Sequence, residues 1–307
     1  MSVLRSHLDD YLELRRSLGF GLGRPGQILS GFVTYLDEAD AATVTAEHAL
    51  AFATAPAGAD PSWWRIRMAA VRPFARYLEP LVPGTEVPPR GMLPGPVSRR
   101  AVPYLYSGAE IASLLAEAGR FRDPFRVATW QTLIGLLAST GMRVGEAIGL
   151  DRTDLGGGLL TVRGKFGKTR QLPLHDSAVH ALEGYASLRD ARPAQSPAFF
   201  LSLRDTRLRC NSVHATFHEL VRKAGLEPRS PACRPRIHDL RHTFTVNAVT
   251  RWQAEGTVTA RLPSLSAWLG HASPASTYWY LTATPELLAL AAAGLGQQED
   301  SEEGERR

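Results

Sequence analysis

Lysine is scarce in this chain: of 35 Lys+Arg residues only Lys165, Lys168 and Lys223 are lysine, and the rest are arginine. Cysteine is scarcer still, with Cys210 and Cys233 alone. Two thiols cannot build a disulfide framework, which excludes the small secreted scaffolds and points to a reducing interior. No run approaches 18 consecutive apolar residues, so a helical membrane span is not expected. The N-terminus, MSVLRSHLDDYLELRR, carries acids early and lacks an apolar stretch, so it does not read as a signal peptide, and a cytoplasmic protein is expected. No GxxxxGK(S/T) phosphate loop and no internal repeat occur, which argues against nucleotide-driven chemistry and against a solenoid.

What is present is an ordinary globular composition, 44% apolar and 21% charged over 307 residues. That length is roughly two domains' worth. The net charge of +5 is unevenly spread. Residues 1–97 hold 9 Lys+Arg against 10 Asp+Glu, and the last nine residues hold 2 against 5, which leaves 24 against 15 for residues 98–298. A central block of +9 favours an anionic partner, nucleic acid first.

Seven of the 21 prolines, from Pro80 to Pro103, fall within one short stretch and read as an extended linker over 81–103. Before it, Leu4, Leu8 and Tyr11, then Ile28, Leu29, Phe32, Val33 and Leu36, then Trp64, Met68, Val71, Ala75 and Leu78 recur at helical spacing. With a short Ala-rich helix near 46–54, residues 1–80 are expected to form an all-helical domain in which Trp63 and Trp64 anchor the core. After the linker, Ser107 and Glu110 have capping-box spacing. Helices are expected at about 124–139, from Arg143, and over 177–189, 211–224, 237–251, 264–269 and 285–293. The sole hairpin signal is Leu160 and Val162 with Gln171–Leu174 around the turn Gly164-Lys165-Phe166-Gly167-Lys168. The fold class is therefore mainly α with a small β-hairpin or sheet: the helical domain 1–80, the linker 81–103, a mixed α/β domain 104–296 and an acidic tail 297–307 expected to be disordered.

Four segments carry chemistry: Gly141-Met-Arg143-Val-Gly-Glu146, the Lys165 turn, His238-Asp-Leu-Arg241, and Leu269-Gly-His271 followed nine residues later by Tyr280. Each alone is weak. In this order and spacing they resemble the catalytic signature of tyrosine recombinases, the phage-integrase family. The resemblance implies a helical, SAM-like core-binding domain followed by a catalytic domain. It further implies that Arg143 and Arg241 grip the scissile phosphate, that Lys165, His238 and His271 assist, that Glu146 supports the first arginine, and that Tyr280 is the nucleophile. The turn reads GKFGK where the commoner pattern is GKGxK, so Lys165 and Lys168 compete for the site. YLELRRSLGF, SWWRIRMAAVRPFARYL and TYWYLTATPEL further resemble integrases of transposon-like elements.

Elementary chemistry asks for the same residue types. Two guanidiniums give planar bidentate grips on phosphoryl oxygens without losing a proton. A tyrosine hydroxyl can form a covalent phosphodiester once a neighbour activates it. The departing 5′ oxygen needs a donor that can release a proton, which lysine can do and arginine cannot. In a chain that otherwise chooses arginine, two of three lysines in one five-residue turn suit that need.

Other readings compete. The pairs His238/His242 and His214/His218 stand at i and i+4, but no spacing supplies a third ligand, so no metal is expected; His214 and His242 cap, pack or face DNA. Glu146 could be a solvated helix residue. Tyr278 is the rival nucleophile, disfavoured by the nine-residue step. Arg99, Arg100, Lys168 and Arg170 are candidate DNA contacts. The resemblance implies site-specific DNA cleavage and rejoining through a 3′-phosphotyrosine, with double-stranded DNA as partner, no cofactor, a homo-tetramer or dimer of dimers on DNA, and room for sister recombinases. A type IB topoisomerase or a non-catalytic DNA-binding accessory protein are the alternatives.

Overall fold

Residues 2–56, 58–95, 102–164 and 168–270 are described by the computed structural model. The chain divides into two units, Met1–Arg99 and Arg100–Arg307. The first holds four helices: α1 (Val3–Ser17), α2 (Gly23–Glu38), α3 (Ala46–Thr54) and α4 (Pro61–Leu78). Each start is chemically marked where a capping side chain stands free: Ser2 accepts from the Arg5 amide, Thr45 from His48, and Asp60 from Ser62 ahead of Pro61. The apolar stripes meet in a core that includes Leu8, Leu29, Phe32, Leu36, Phe74 and Leu78. Trp63 and Trp64 are only half-buried. Trp63 packs on the core edge with the Arg24 guanidinium 4.7 Å from its ring centroid, so it is a rim residue rather than the expected anchor.

The proline-rich stretch is held at both ends. Arg72 donates to the carbonyls of Pro88 (2.8 Å) and Pro89 (3.1 Å), and Arg65 to those of Pro94 and Gly95 (both 3.2 Å). Prolines leave their neighbours' carbonyls without strand or helix partners, and arginine forks supply the missing donors. At the far end Val102 donates to Ala232, Tyr106 donates to the Thr243 hydroxyl (2.9 Å), and the Tyr106 hydroxyl donates to the Arg236 carbonyl (3.1 Å).

The second unit runs α5 (Gly108–Gly119), α6 (Pro124–Thr140), α7 (Val144–Gly149), β1 (Leu155–Gly156), β2 (Leu159–Arg163), β3 (Thr169–Pro173), α8 (Asp176–Asp190), α9 (Cys210–Lys223), α10 (Asp239–Ala254) and α11 (Val258–Leu269). The capping box expected at Ser107 forms in both directions. Helix α6 buries Phe125, Trp130, Leu133, Ile134, Leu136 and Leu137, which lie on more than one face, because α5, α8 and α10 pack around it. Burying each such side chain contributes about 1.5–3 kcal/mol.

The expected hairpin is part of a three-stranded antiparallel sheet of order β1-β2-β3, with Leu160 opposite Leu172 and Val162 opposite Arg170. The two-residue β1 is too short to show a period in sequence. Helix α11 begins at Val258, six residues before the expected Ser264, and runs through Pro263. The proline's missing N–H forfeits one helical bond. Burial of Leu262, Leu265 and Leu269 against Val249 offsets that loss.

Candidate active site

Helix α6 ends at Gly141, which takes φ +63° and donates back to the Leu137 carbonyl. A left-handed residue stops the helix and turns the chain so that Arg143 begins α7. Glycine is required there twice over. An L residue strains at this φ, and a Cβ would stand 2.4 Å from Cδ1 of Phe244. Gly141→Ala is therefore expected to cost about 2–4 kcal/mol of stability, combining the left-handed penalty with overpacking. Denaturant unfolding measures it, and Phe244→Ala in the same background should return part of the loss.

The Gly141 carbonyl has a second role: it accepts from Nη1 of Arg241 at 2.9 Å. Arg241 is the third residue of α10 and is 2% exposed, with Nη2 on the Leu269 carbonyl at 2.8 Å. Arg143 reaches that same carbonyl through Nη1 at 3.5 Å. Two guanidiniums from different helices thus converge on the backbone at the end of α11, whose cap Gly270 also has φ +63°. Trp268 pins this end by donating Nε1 to the Thr140 carbonyl at 2.8 Å.

The start of α10 is fixed by an arginine fork: Arg236 donates Nε and Nη2 to the buried Asp239 carboxylate at 2.9 and 2.8 Å. This sets His238 at the helix entrance, its ring edge-on to His242 at a centroid distance of 5.2 Å. His238 is exposed, with the His242 ring and neighbouring groups removing water from part of its imidazole. Its imidazole is held below the ordinary histidine value, first by that desolvation and then by the charges of Arg241, Arg143, Arg236 and His214. A neutral ring at pH 7 can accept a proton.

Glu146, 7% exposed at its side chain, lies between two arginines. Oε1 accepts from Arg143 Nη1 at 2.8 Å, and Oε2 accepts from Arg170 Nη2 at 2.8 Å and from the Arg143 amide at 3.1 Å. Burial alone would raise its carboxyl, but the Arg170 hydrogen bond, the Arg143 amide, the Arg170 charge and the Arg143 side-chain hydrogen bond outweigh it and hold the group below the ordinary glutamate value. The β2-β3 turn starts beside it: the Gly164 amide donates to the Lys168 carbonyl at 2.7 Å, and a Cβ on Gly164 would stand 4.0 Å from Glu146 Oε1.

Residues 107–286 match the phage integrase family. The chain belongs to that family. The integrase is 41% identical over 300 residues to the integrase/recombinase y4rB of Sinorhizobium fredii, covering 94% of this chain and 95% of that protein. It is 33% identical over 216 residues to the tyrosine recombinase XerC of Azotobacter vinelandii, covering 69% and 67%. Its fold is shared with the XerH site-specific recombinase solved on a palindromic difH substrate, with TM-score 0.64 at 19% identity over 89% of this chain and 79% of that one.

Of the residues expected to act, the integrase brings Arg143, Glu146, His238 and Arg241 together, with Arg170 joined to them through Glu146. Lys165, His271, Tyr280, Arg99 and Arg100 lie outside the described residues, as do Tyr278 and the helix expected at 285–293. Lys168 is exposed. Arg170, expected at the DNA, is turned inward: its side chain is 15% exposed, paired with Glu146, and donates Nε to the Trp268 carbonyl at 2.7 Å. The strand period could have shown this, since residue 170 shares a face with buried Leu172. The carbonyls of Gly141, Trp268 and Leu269 went unrecognised because a backbone acceptor leaves no mark on side-chain pattern. Among the described residues no helix is long and apolar enough to cross a membrane, and no three His, Cys, Asp or Glu side chains are grouped to hold a metal ion.

Proposed function

We propose that this integrase is a site-specific DNA recombinase that cleaves and rejoins duplex DNA through a 3′-phosphotyrosine on Tyr280. The observation that carries the reading is the convergence of Arg143 and Arg241 on the Leu269 carbonyl, two residues before His271 and eleven before Tyr280. There the two forks hold the non-bridging oxygens of the scissile phosphate, where negative charge builds in the transition state. The Tyr280 hydroxyl attacks phosphorus and gives its proton to a neutral histidine, His238 or His271. The bond from phosphorus to the 5′ oxygen breaks as Lys165 protonates that oxygen. A 5′ hydroxyl from the partner strand then reverses the sequence. The phosphodiester energy stays in the protein–DNA bond, so neither ATP nor a metal cofactor is called for.

The partner is double-stranded DNA, supported by the +9 charge of residues 98–298. The domains 1–80 and 104–296, joined by the linker 81–103, each contact the duplex, and Lys168 with Arg99 and Arg100 hold flanking phosphates. Exchange of four strands between two duplexes calls for four protomers. The likeness to y4rB over nearly its whole length fits an integrase or recombinase, which we place on a mobile element acting on cytoplasmic DNA. Topoisomerase and accessory readings draw no support from the relatives.

The test is covalent trapping. The full chain is incubated with sheared genomic DNA of its source, quenched with detergent, and the linked DNA is sequenced while the modified peptide is mapped. A nucleotide on Tyr280 at one recurring DNA sequence is expected. Absence of any adduct, or adducts without a shared sequence, counts against site-specific recombination.

A further inference from the structure

We infer that Arg170 is a positioning residue that offsets the charge of Glu146, so that less of the attraction of Arg143 for phosphate is cancelled, rather than a contact to DNA. The inference rests on the recombinase reading above. One carboxylate serves two guanidiniums, and the three side chains together carry one net positive charge. The geometry divides the roles. Arg170 spends Nη2 and Nη1 on Glu146 at 2.8 and 3.3 Å and Nε on the Trp268 carbonyl at 2.7 Å, leaving little of it for a ligand. Arg143 makes a single side-chain bond to Glu146, at 2.8 Å, and its side chain is 33% exposed. Glu146 therefore orients Arg143 while Arg170 balances most of its charge. Arg143 then meets the phosphate with its charge largely intact.

Arg170 is also the tie between three segments that the chemistry must bring together. It stands on β3, two residues past the lysine turn; it grips α7 through Glu146; and it grips the end of α11 through Trp268. That last contact is close enough that a Cβ on Gly270 would stand 2.8 Å from Arg170 Nη1. Gly270 immediately precedes His271. Without Arg170, Glu146 would be left in a buried site with Arg143 as its one cationic side-chain partner among the described contacts, and the pair would neutralise itself.

The experiment measures adduct formation on a nicked duplex carrying the sequence recovered by the trapping above. Arg170→Met should slow adduct formation about 10- to 100-fold, the scale of a displaced phosphate grip. DNA affinity and its salt slope should stay near wild type, whereas loss of a direct phosphate contact would lower the log-log slope by about 0.9. Arg170→Met/Glu146→Gln should recover most of the lost rate, because removing the carboxylate charge frees Arg143 again. Arg170→Lys should lose less than Arg170→Met. If Arg170→Met does not fold, Arg170→Gln, which can still donate to Trp268, replaces it in the same cycle. A folded double variant no faster than the single one, or a reduced salt slope, overturns the inference while leaving wild-type cleavage intact. A wild-type chain that forms no adduct overturns the recombinase reading itself.

Discussion

Tyr280→Phe should abolish covalent adducts while leaving DNA binding nearly unchanged. The substitution removes one oxygen, the atom that would become the bridge to phosphorus, and keeps the ring. Binding should survive because it is spread over many phosphate contacts, each worth a small share of the affinity. The phosphate grip should survive too. Arg241 is held by the Gly141 and Leu269 carbonyls and Arg143 by Glu146 and the Leu269 carbonyl. Electrophoresis of denatured complexes on a nicked duplex reads the adduct, and filter binding reads the affinity. Tyr278→Phe is the control. Adducts that persist in Tyr280→Phe and vanish in Tyr278→Phe would move the nucleophile by two residues and break the nine-residue step from His271.

The second large effect concerns the proton given to the leaving 5′ oxygen. Lys165→Ala should slow cleavage of ordinary DNA by roughly 100- to 10,000-fold, the range of a lost general acid. Replacing the bridging 5′ oxygen with sulfur gives a leaving group that departs without a donated proton, so the same variant should recover most of its rate on that strand. The place is suitable: Gly164, one residue before Lys165, stands at the base of the turn beside Glu146 and Arg170. Lys168 is exposed at the other base of the turn, and Lys168→Ala should show a milder defect that sulfur leaves unchanged. Rescue of Lys168→Ala alone would reassign the acid to Lys168. Rescue of neither would remove the turn from proton transfer.

Both experiments depend on a set of residue types that was readable before any fold was known, and the reason is locality. The capping box at Ser107 and Glu110, the helical stops at Gly141 and Gly270, and the alternation of β2 and β3 are each decided within a few residues of chain. So is the placing of lysine, whose proton can be released, in one turn of a chain where arginine is otherwise the rule. Where local rules competed with burial, the sequence misled. The helix expected over 264–269 begins at Val258 instead, because burial of Leu262, Leu265 and Leu269 carries α11 through Pro263.

What the amino-acid sequence determined by itself was most of the described helices, the hairpin and a set of residue types whose chemistry suits holding and transferring a phosphoryl group. Tertiary structure alone decided how those groups are held. Arg170 is basic and lies near the lysine turn, which suggested a place on DNA; only the fold, which brings its side chain to α7 and the end of α11, shows it bound to Glu146 and the Trp268 carbonyl. The meeting of Arg143 and Arg241 at Leu269 and the exclusion of any Cβ at Gly141 by Phe244 are equally invisible in sequence. Their partners are backbone carbonyls and distant rings, which any residue type can present, so their position is fixed only when the whole chain has folded.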